Sequence, residues 1–516
     1  MPLVSPGGRN PGSPSCHKSL GRIGSRYLNL ITSNRTCDDG LPSDTHLRPT
    51  IEGCANMLHQ PKRIAVVVAT VAVACLAVPL REQAPAQPAR RPNVLIILTD
   101  DQRASGTMSV MPETRRVFKR NGTEFTHAFA TTPLCCPSRA SIFTGRYAHN
   151  HGVKNNESPG LLDQESTVQR YLDSDGYRTA FFGKYFNSWP IRADPPHFDR
   201  WAVFANSALV SPGTDWNVNG VVQAVKTYST DYIADQAVRF LAGSEGSDDQ
   251  PWLMYLATAV PHLPARPESA HADAPVGYWP GNPAVFERDR RDKPPFVRDR
   301  SVALEEIRMV RRNQLRSLKS VDDLVERVFA TLEKLDDKAN TLAFFMSDNG
   351  FLWGEHGLHA QGSQKRSPYK PSVKLPLFMR WPGHVEAGAA RNRLVANIDV
   401  APTILGAAGL DPDRSYPMDG IPLDADRPRR RLLLEHYVDP GRIPEWAATY
   451  THEYEYIEYY GDDGSTPAFR EYYDLESDPW QLDNLLLDGD PANDPDIAGI
   501  AEQLHADRRC IGAACP

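Results

Sequence analysis

Short, unbroken apolar runs, each closed by polar residues, recur along the chain from residue 93 onward. Residues 93–98 run into Thr99-Asp100-Asp101, residues 179–182 into Gly183-Lys184, residues 252–258 towards Pro261-His262, and residues 341–346 into Ser347-Asp348-Asn349. Runs of this length, rich in branched and aromatic side chains, predict strands buried on both faces, the pattern of a parallel sheet. Stretches of helical period lie between them. Over residues 320–335, Val321, Leu324, Val325, Val328, Leu332 and Leu335 share one face, and Ser320 with Asp323 fits a capping box at the start. Alternation of the two patterns predicts an α/β fold, a large doubly wound and mostly parallel sheet flanked by helices. After a helical run over residues 399–410 the chain turns Pro- and Arg-rich up to Arg431. Aromatic strand formers over 454–460 and 469–474 then flank Gly461-Asp462-Asp463-Gly464, which predicts a hairpin in a small antiparallel C-terminal sheet. The expected organisation is a catalytic domain over 91–425 and a small α+β subdomain over 426–516. The tyrosines of the latter read either as sheet packing or as a lining of the substrate entrance.

Upstream of residue 91 the pattern changes. The long apolar run 64–80 follows Lys62-Arg63 and leads to Ala84-Pro85-Ala86, so residues 57–90 read as a signal peptide with its linker. An uncleaved anchor and a lipid-anchored form at Cys75 are the alternatives. Residues 1–56 have no apolar periodicity and read as a doubtful leader ahead of a start at Met57. The expected destination is secreted or periplasmic. Of eight cysteines, Cys16, Cys37, Cys54 and Cys75 fall in these segments, and Cys510 and Cys515 close a short loop that suits a disulfide in an exported chain. The composition, 41% hydrophobic with a net charge of −7, is globular and excludes a disordered chain. No long basic run is present, so nucleic acid is not an expected partner.

In a doubly wound sheet ligands bind outside the carboxyl ends of the strands, where the polar residues above fall. Asp100-Asp101 alone fits a turn or helix cap, and Asp348-Asn349 alone fits a turn. Brought together they would repel unless a cation sat between them, and hard oxygen ligands favour Ca²⁺ or Mg²⁺.

Between the first two of these runs stands Cys135-Cys-Pro-Ser-Arg-Ala-Ser-Ile-Phe-Thr-Gly-Arg146. This segment resembles the signature of the type I sulfatases, a family of the alkaline phosphatase superfamily. In that family the first cysteine of a Cys-x-Pro-x-Arg core is oxidised to formylglycine by a formylglycine-generating enzyme, so the resemblance implies that Cys135 is modified and Cys136 is the variable position. It further implies one Ca²⁺ held by Asp100, Asp101, Asp348, Asn349 and the modified Cys135. Arg139, Lys184, His262 and Lys365 match the basic residues that hold the sulfate and assist the leaving group. Gly354-Glu-His-Gly-Leu358, Pro376-Leu377 and Arg380-Trp-Pro-Gly383 also have the family's form.

The implied reaction is hydrolysis of a sulfate ester. The ester oxygens repel a nucleophile, so cations must neutralise them while a strong nucleophile is aimed at sulfur. One hydroxyl of the aldehyde hydrate attacks to give a covalent sulfate hemiacetal, and loss of the second hydroxyl's proton expels sulfate. His262, with Lys365, protonates or stabilises the departing alcohol. Two positions depart from the family pattern. Many relatives have a histidine where Phe186 stands in Gly183-Lys-Tyr-Phe-Asn187, which leaves the second base to be supplied elsewhere, with His149 and His151 as candidates and Asn187 as an orienting residue. Lys370 stands where relatives often have an acid. The Gly-Lys-Tyr-x-Asn form resembles the N-acetylglucosamine-6-sulfatase branch, as do Asn217-Val-Asn-Gly220 and Tyr228-Ser-Thr-Asp-Tyr232. The expected substrates are therefore sulfated carbohydrates or aryl sulfates. The competing readings are a phosphate or phosphonate ester hydrolase of the same superfamily and an inactive carbohydrate-binding relative.

Overall fold

A computed structural model of the chain describes residues 90–204, 212–243, 250–359, 363–437, 443–461 and 463–516. The expected leader and the signal segment up to residue 89, Cys75 included, lie outside the described residues. Among the described residues no helix is long and apolar enough to cross a membrane.

The strands of the large sheet are β1 (Asn93–Thr99), β2 (Thr123–Phe129), β3 (Arg178–Gly183), β4 (Arg200–Phe204), β5 (Thr214–Val218), β6 (Val221–Val225), β7 (Trp252–Ala257), β8 (Thr341–Ser347), β9 (Leu377–Arg380) and β10 (Ala390–Ala396). They lie in the order β10-β2-β9-β8-β1-β7-β3-β4-β5-β6. The central five, β8 to β4, run parallel, while β9, β5 and β6 add antiparallel pairings. In β1, Val94, Ile96 and Leu98 enter the core on one face with Ile142, Phe143 and Ile404, whereas Leu95 and Ile97 enter the other with Leu315, Leu318 and Val325. Both faces are covered by helices, which is why the strand reads as an unbroken apolar run.

The helix expected to begin at Ser320 begins sixteen residues earlier and spans Leu304–Lys334. Ser320 is buried in mid-helix and donates its hydroxyl to Ser317 O (2.8 Å), so it caps nothing. The apolar face runs on upstream through Ile307, Leu315 and Leu318, all buried, and this continuity overrides a local capping pattern. The expected 399–410 run appears as the helix Val400–Ala408, ended by Gly409 in the left-handed conformation.

A second sheet, β11 (Leu432–His436), β12 (Trp446–Tyr450), β13 (Tyr454–Tyr460) and β14 (Pro467–Asp474), is antiparallel throughout. Its apolar face shares one core with Phe129, Leu394 and Ala396 of the large sheet. Tyr456, Tyr459, Tyr460 and Tyr473 are buried, and the hydroxyls of Tyr369, Tyr459 and Tyr473 converge on the Glu471 carboxylate at 2.6–3.0 Å. These rings pack the sheet and satisfy a buried acid. The Arg-rich stretch between the sheets is clamped rather than loose: Arg429 forks onto both oxygens of Asp399 (2.6 and 2.8 Å), and Arg431 onto Asp507. Cys510 and Cys515 form a disulfide.

Candidate active site

The carboxyl ends of β8, β1, β7 and β3 stand side by side, and each delivers polar residues to one place. Asp100 and Asp101 follow β1, Asp348 and Asn349 follow β8, Lys184 follows β3, and His262 lies five residues past β7. The turn after β3 requires glycine. Gly183 has φ 120°, and a Cβ there would meet Ala257 O at 1.9 Å. Asp101 takes a left-handed φ of 67°, a conformation that costs a non-glycine residue about 1 kcal/mol and turns its carboxylate inward.

Cys135 enters from the other side, at the first position of the helix Cys135–Thr144, every residue of which is buried. Pro137 is tolerated in that first turn because the amide it lacks would have no helical acceptor. Gly145, at φ 67°, ends the helix with its N–H on Ser141 O (2.8 Å). Two asparagines that the sequence did not reveal as site residues hold this helix. Asn156 accepts the Cys136 N–H (2.9 Å), and Asn397 donates to Ser138 Oγ (2.9 Å) while its amide oxygen takes the Thr131 N–H and hydroxyl. Ser138 in turn donates to Asp348 O. Their only sequence signal was Ser138 within the signature.

The expected site residues converge. Cys135 Sγ lies 3.0 Å from Lys365 Nζ and 3.6 Å from Asp100 Oδ1. Lys365 also donates to Asp101 Oδ1 (2.7 Å), and Lys184 donates to Asp100 Oδ2. Arg139 donates from Nε to Asp348 Oδ2 (3.0 Å) and from Nη1 to Lys184 O (2.5 Å), tying the helix to two strand ends. Asp348 Oδ1 accepts the N–H groups of Asp101 (3.1 Å) and Asn349 (2.8 Å). His262 Nδ1 donates to Leu263 O (2.7 Å), so Nε2, 3.7 Å from Asp101 Oδ2, is the nitrogen that gains and loses a proton.

Three carboxylates, Asp100, Asp101 and Asp348, face three permanent cations, Arg139, Lys184 and Lys365, and all six are at most 3% exposed. Burial alone would raise the Asp100 and Asp101 carboxyls, but the first is held below the usual carboxylate range by Lys184, His262 and Arg139, and the second by Lys365 and His262. Burial likewise pushes the Cys135 thiol up, and Lys184 with Lys365 outweigh it and hold the thiol low. Burial would lower His262, yet Asp101 and Asp100 raise it.

The donor set fits a hard divalent cation. Asp101 Oδ2 and Asn349 Oδ1 are buried acceptors with no hydrogen-bond donor, and ligand atoms of Asp100, Asp101, Cys135 and His262 lie within 4.8 Å of one another. Orphaned oxygens at this depth are costly unless a cation takes them.

Two expectations are corrected. His149 and His151 do not supply a base to this centre, because the ring nitrogens of both are already engaged. His149 Nδ1 pairs with Glu435 (3.0 Å) and Nε2 with Cys510 O (2.9 Å), whereas His151 Nε2 meets Ser141 Oγ (3.1 Å) and Nδ1 accepts the Val153 N–H (3.1 Å). His149→Gln is therefore expected to cost about 1.5–3 kcal/mol of stability, with kcat on an aryl sulfate unchanged. A fall in kcat in the folded variant would return His149 to the reaction. Burial opposes the charge on each partner, but Glu435 lifts His149 and His149 lowers Glu435. The difference between parent and variant should be full between the ordinary carboxylate and imidazole values. It should shrink as pH rises through the lifted His149 value or falls through the lowered Glu435 value. Phe186 is 1% exposed and packs against Phe143, Tyr185 and Trp189, a core residue with no acid–base part. Beside it, Asn187 gives its N–H to Cys136 Sγ (3.2 Å) and keeps a buried Oδ1 without a donor.

The arrangement has known counterparts. The family model described as Sulfatase matches residues 92–410, and that of the N-sulphoglucosamine sulphohydrolase C-terminal region matches residues 354–509. An extracellular sulfatase SULF-1 homolog of Drosophila melanogaster is 33% identical over 361 residues, 66% of this chain, which spans about a third of that relative's length (32%). The N-acetylglucosamine-6-sulfatase of Homo sapiens is 30% identical over 488 residues, covering 83% of this chain and 86% of the relative. A solved structure in complex with its substrate D-glucosamine-2-N,6-O-disulfate has the same fold, with a TM-score of 0.69 at 22% identity over 80% of this chain and 96% of that one. With its signature cysteine at the head of a buried helix and its acidic and basic residues gathered at four strand ends, the chain belongs to the sulfatase family.

Proposed function

We propose that the chain hydrolyses sulfate esters at the Cys135 centre and that its substrates are sulfated sugars. The observation that carries this reading is the position of Cys135 Sγ, buried and within 3.0 Å of Lys365 Nζ, among cations that would neutralise ester oxygens. Formylglycine made from Cys135 by a formylglycine-generating enzyme would supply the nucleophilic hydroxyl. Ca²⁺ held by Asp100, Asp101, Asp348 and Asn349 would supply two positive charges, which the otherwise balanced cluster needs to offset the ester monoanion and an ionised nucleophile. The chain's own residues do the rest. Lys184 and Arg139 fix the strand ends and anchor the anion, Lys365 stands between the nucleophile position and Asp101, and His262 releases a proton from Nε2 to the departing alcohol. With Phe186 apolar and both neighbouring histidines engaged elsewhere, residue 186 takes no part in proton transfer.

The sugar preference rests on the Lys184-Tyr-Phe-Asn187 run and on the relatives named above, and it points to a glucosamine residue sulfated at O6. The Cys510–Cys515 disulfide agrees with passage through an oxidising compartment, and we propose that the chain is exported. Parallel assays test the reading. The mature enzyme is expected to cleave glucosamine 6-sulfate, and to favour an aryl sulfate over the matching aryl phosphate by at least about tenfold in kcat/KM, or 1.4 kcal/mol. The reverse preference would make it a phosphate or phosphonate hydrolase, and activity on neither would leave an inactive carbohydrate-binding relative.

A further inference from the structure

A cavity of about 360 Å³ opens beside β2 and β9, within the range of about 300–1,000 Å³ typical of small-molecule sites, and none of the Cys135 centre's residues lines it. Apolar residues line it, among them Leu375, Pro376 and Pro479, together with Trp480, which is 37% exposed. Two lysines, Lys370 and Lys374, face it from the helix Lys370–Val373 and the residue that follows it. Lys370 ties down the loop bearing Trp480: its backbone N–H goes to Gln481 Oε1 (2.8 Å) and its Nζ to Pro479 O (2.9 Å).

The charges of this cavity do not balance internally. The acids that line it, Glu124 and Glu355, are paired with Lys119 (2.7 Å) and Arg103 (2.5 Å), and neither Lys370 nor Lys374 has a carboxylate partner among the described residues. Two acids act on Lys370: Glu455 already takes Gln481 and burial pushes its carboxyl well up, so it is a weak counter-ion, and Asp478 is already bonded to the N–H groups of Leu482 and Asp483. Two ammonium groups four residues apart repel each other, and burial together with Lys370 brings Lys374 down to about 8 against the pull of Glu124. Burial, then Lys374, His452 and Lys370, bring the half-buried His127 down to about 4, which marks the same corner as electropositive. A pair of half-buried cations lining one cavity with an exposed aromatic ring suits an anion that also has an apolar face.

We propose that this cavity is a second carbohydrate site, distinct from the Cys135 centre, that binds an anionic sugar ring with its charge on Lys370 and Lys374 and its apolar face on Trp480. The inference rests on the reading above only for the source of the ring, a sulfated saccharide chain. It also accounts for a lysine at position 370, where the family pattern led us to expect an acid.

The test uses the full chain carrying Cys135→Ala, so that binding is read without turnover, with a heparin-type hexasaccharide as the calorimetric probe. Lys374→Gln, which removes a charged contact, and Trp480→Ala, which removes the stacking face, are each expected to weaken binding by about tenfold, or about 1.4 kcal/mol, and Lys374→Arg to restore it. In the otherwise unmodified enzyme the same substitutions should leave kcat/KM for an aryl sulfate unchanged. A desulfated, uronate-bearing hexasaccharide distinguishes the anion: retained lysine-dependent binding assigns a carboxylate, and its loss assigns a sulfate. Unchanged affinity in both variants would overturn the proposal, as would a parallel loss of aryl sulfate turnover, which would merge the cavity with the active site. Lysine-dependent binding by a chain that cleaves no sulfate ester would keep this site and reject the proposed activity.

Discussion

Cys135→Ala is expected to abolish turnover of every sulfate ester, a loss on the order of 10⁶-fold, as when an enzyme loses its nucleophile, while the chain stays folded. The side chain removed is small, and Lys365 keeps Asp101 as a partner, so no buried charge is left alone. Cys136→Ala, one residue along, is expected to retain activity. The Cys136 thiol accepts the Asn187 N–H, and burial, with Cys135 adding to it, pushes it up to about 12, the behaviour of an inert core cysteine. Mass spectrometry of the peptide spanning both residues checks the chemistry directly. The aldehyde should appear at Cys135 as a mass below that of the cysteine peptide, and should persist in Cys136→Ala. Fully active enzyme carrying an intact thiol at Cys135 would reject the assignment.

What could be read from the chain depended on how locally each feature is encoded. β1, β3, β7 and β8 were legible because burial on both faces leaves no polar position inside the strand, and the first polar residues mark its carboxyl end. The start of the Leu304–Lys334 helix was not legible, because a local Ser320-x-x-Asp323 pattern competed with an apolar face that only packing against the sheet could extend. At the site, Asp100, Asp101, Lys184, Asp348 and Asn349 fall at strand ends, where topology alone brings them together. Lys365 lies in no regular element, and only the family resemblance pointed to it. His149 and His151 failed as candidate bases for the converse reason. Proximity in sequence to the signature helix suggested a role, but His149 is held by Glu435 and Cys510, 286 and 361 residues away, which nothing nearby in sequence announces, and His151 is held by Ser141 and Val153. Asn397 escaped notice in the same way, since it reaches Ser138 across 259 residues.

Asp101 is where the proposed metal, proton donor and nucleophile position would meet, and its replacement should separate the metal's contribution from that of the fold. Its Oδ1 accepts from Lys365 (2.7 Å) and from Asn349 Nδ2 (2.7 Å), while its Oδ2 faces His262 without a donor. Asp101→Ala would strip Lys365 of its carboxylate and leave a buried ammonium uncompensated, a penalty of about 3–5 kcal/mol that could unfold the chain and obscure the result. Asp101→Asn keeps the shape and one acceptor and is the variant to measure. It should lose bound Ca²⁺, read by metal analysis of the purified protein and by the absence of a thermal shift when Ca²⁺ is added. The aryl sulfate kcat/KM should fall by about 10²–10⁴, the equivalent of several kcal/mol of lost charge stabilisation. The two losses should appear together, because in the proposed centre the orphaned Oδ2 would be both a ligand of the cation and the partner of His262. An Asn variant that holds a full equivalent of Ca²⁺ and retains its rate, or a parent enzyme fully active after exhaustive chelation, would remove the metal from this centre.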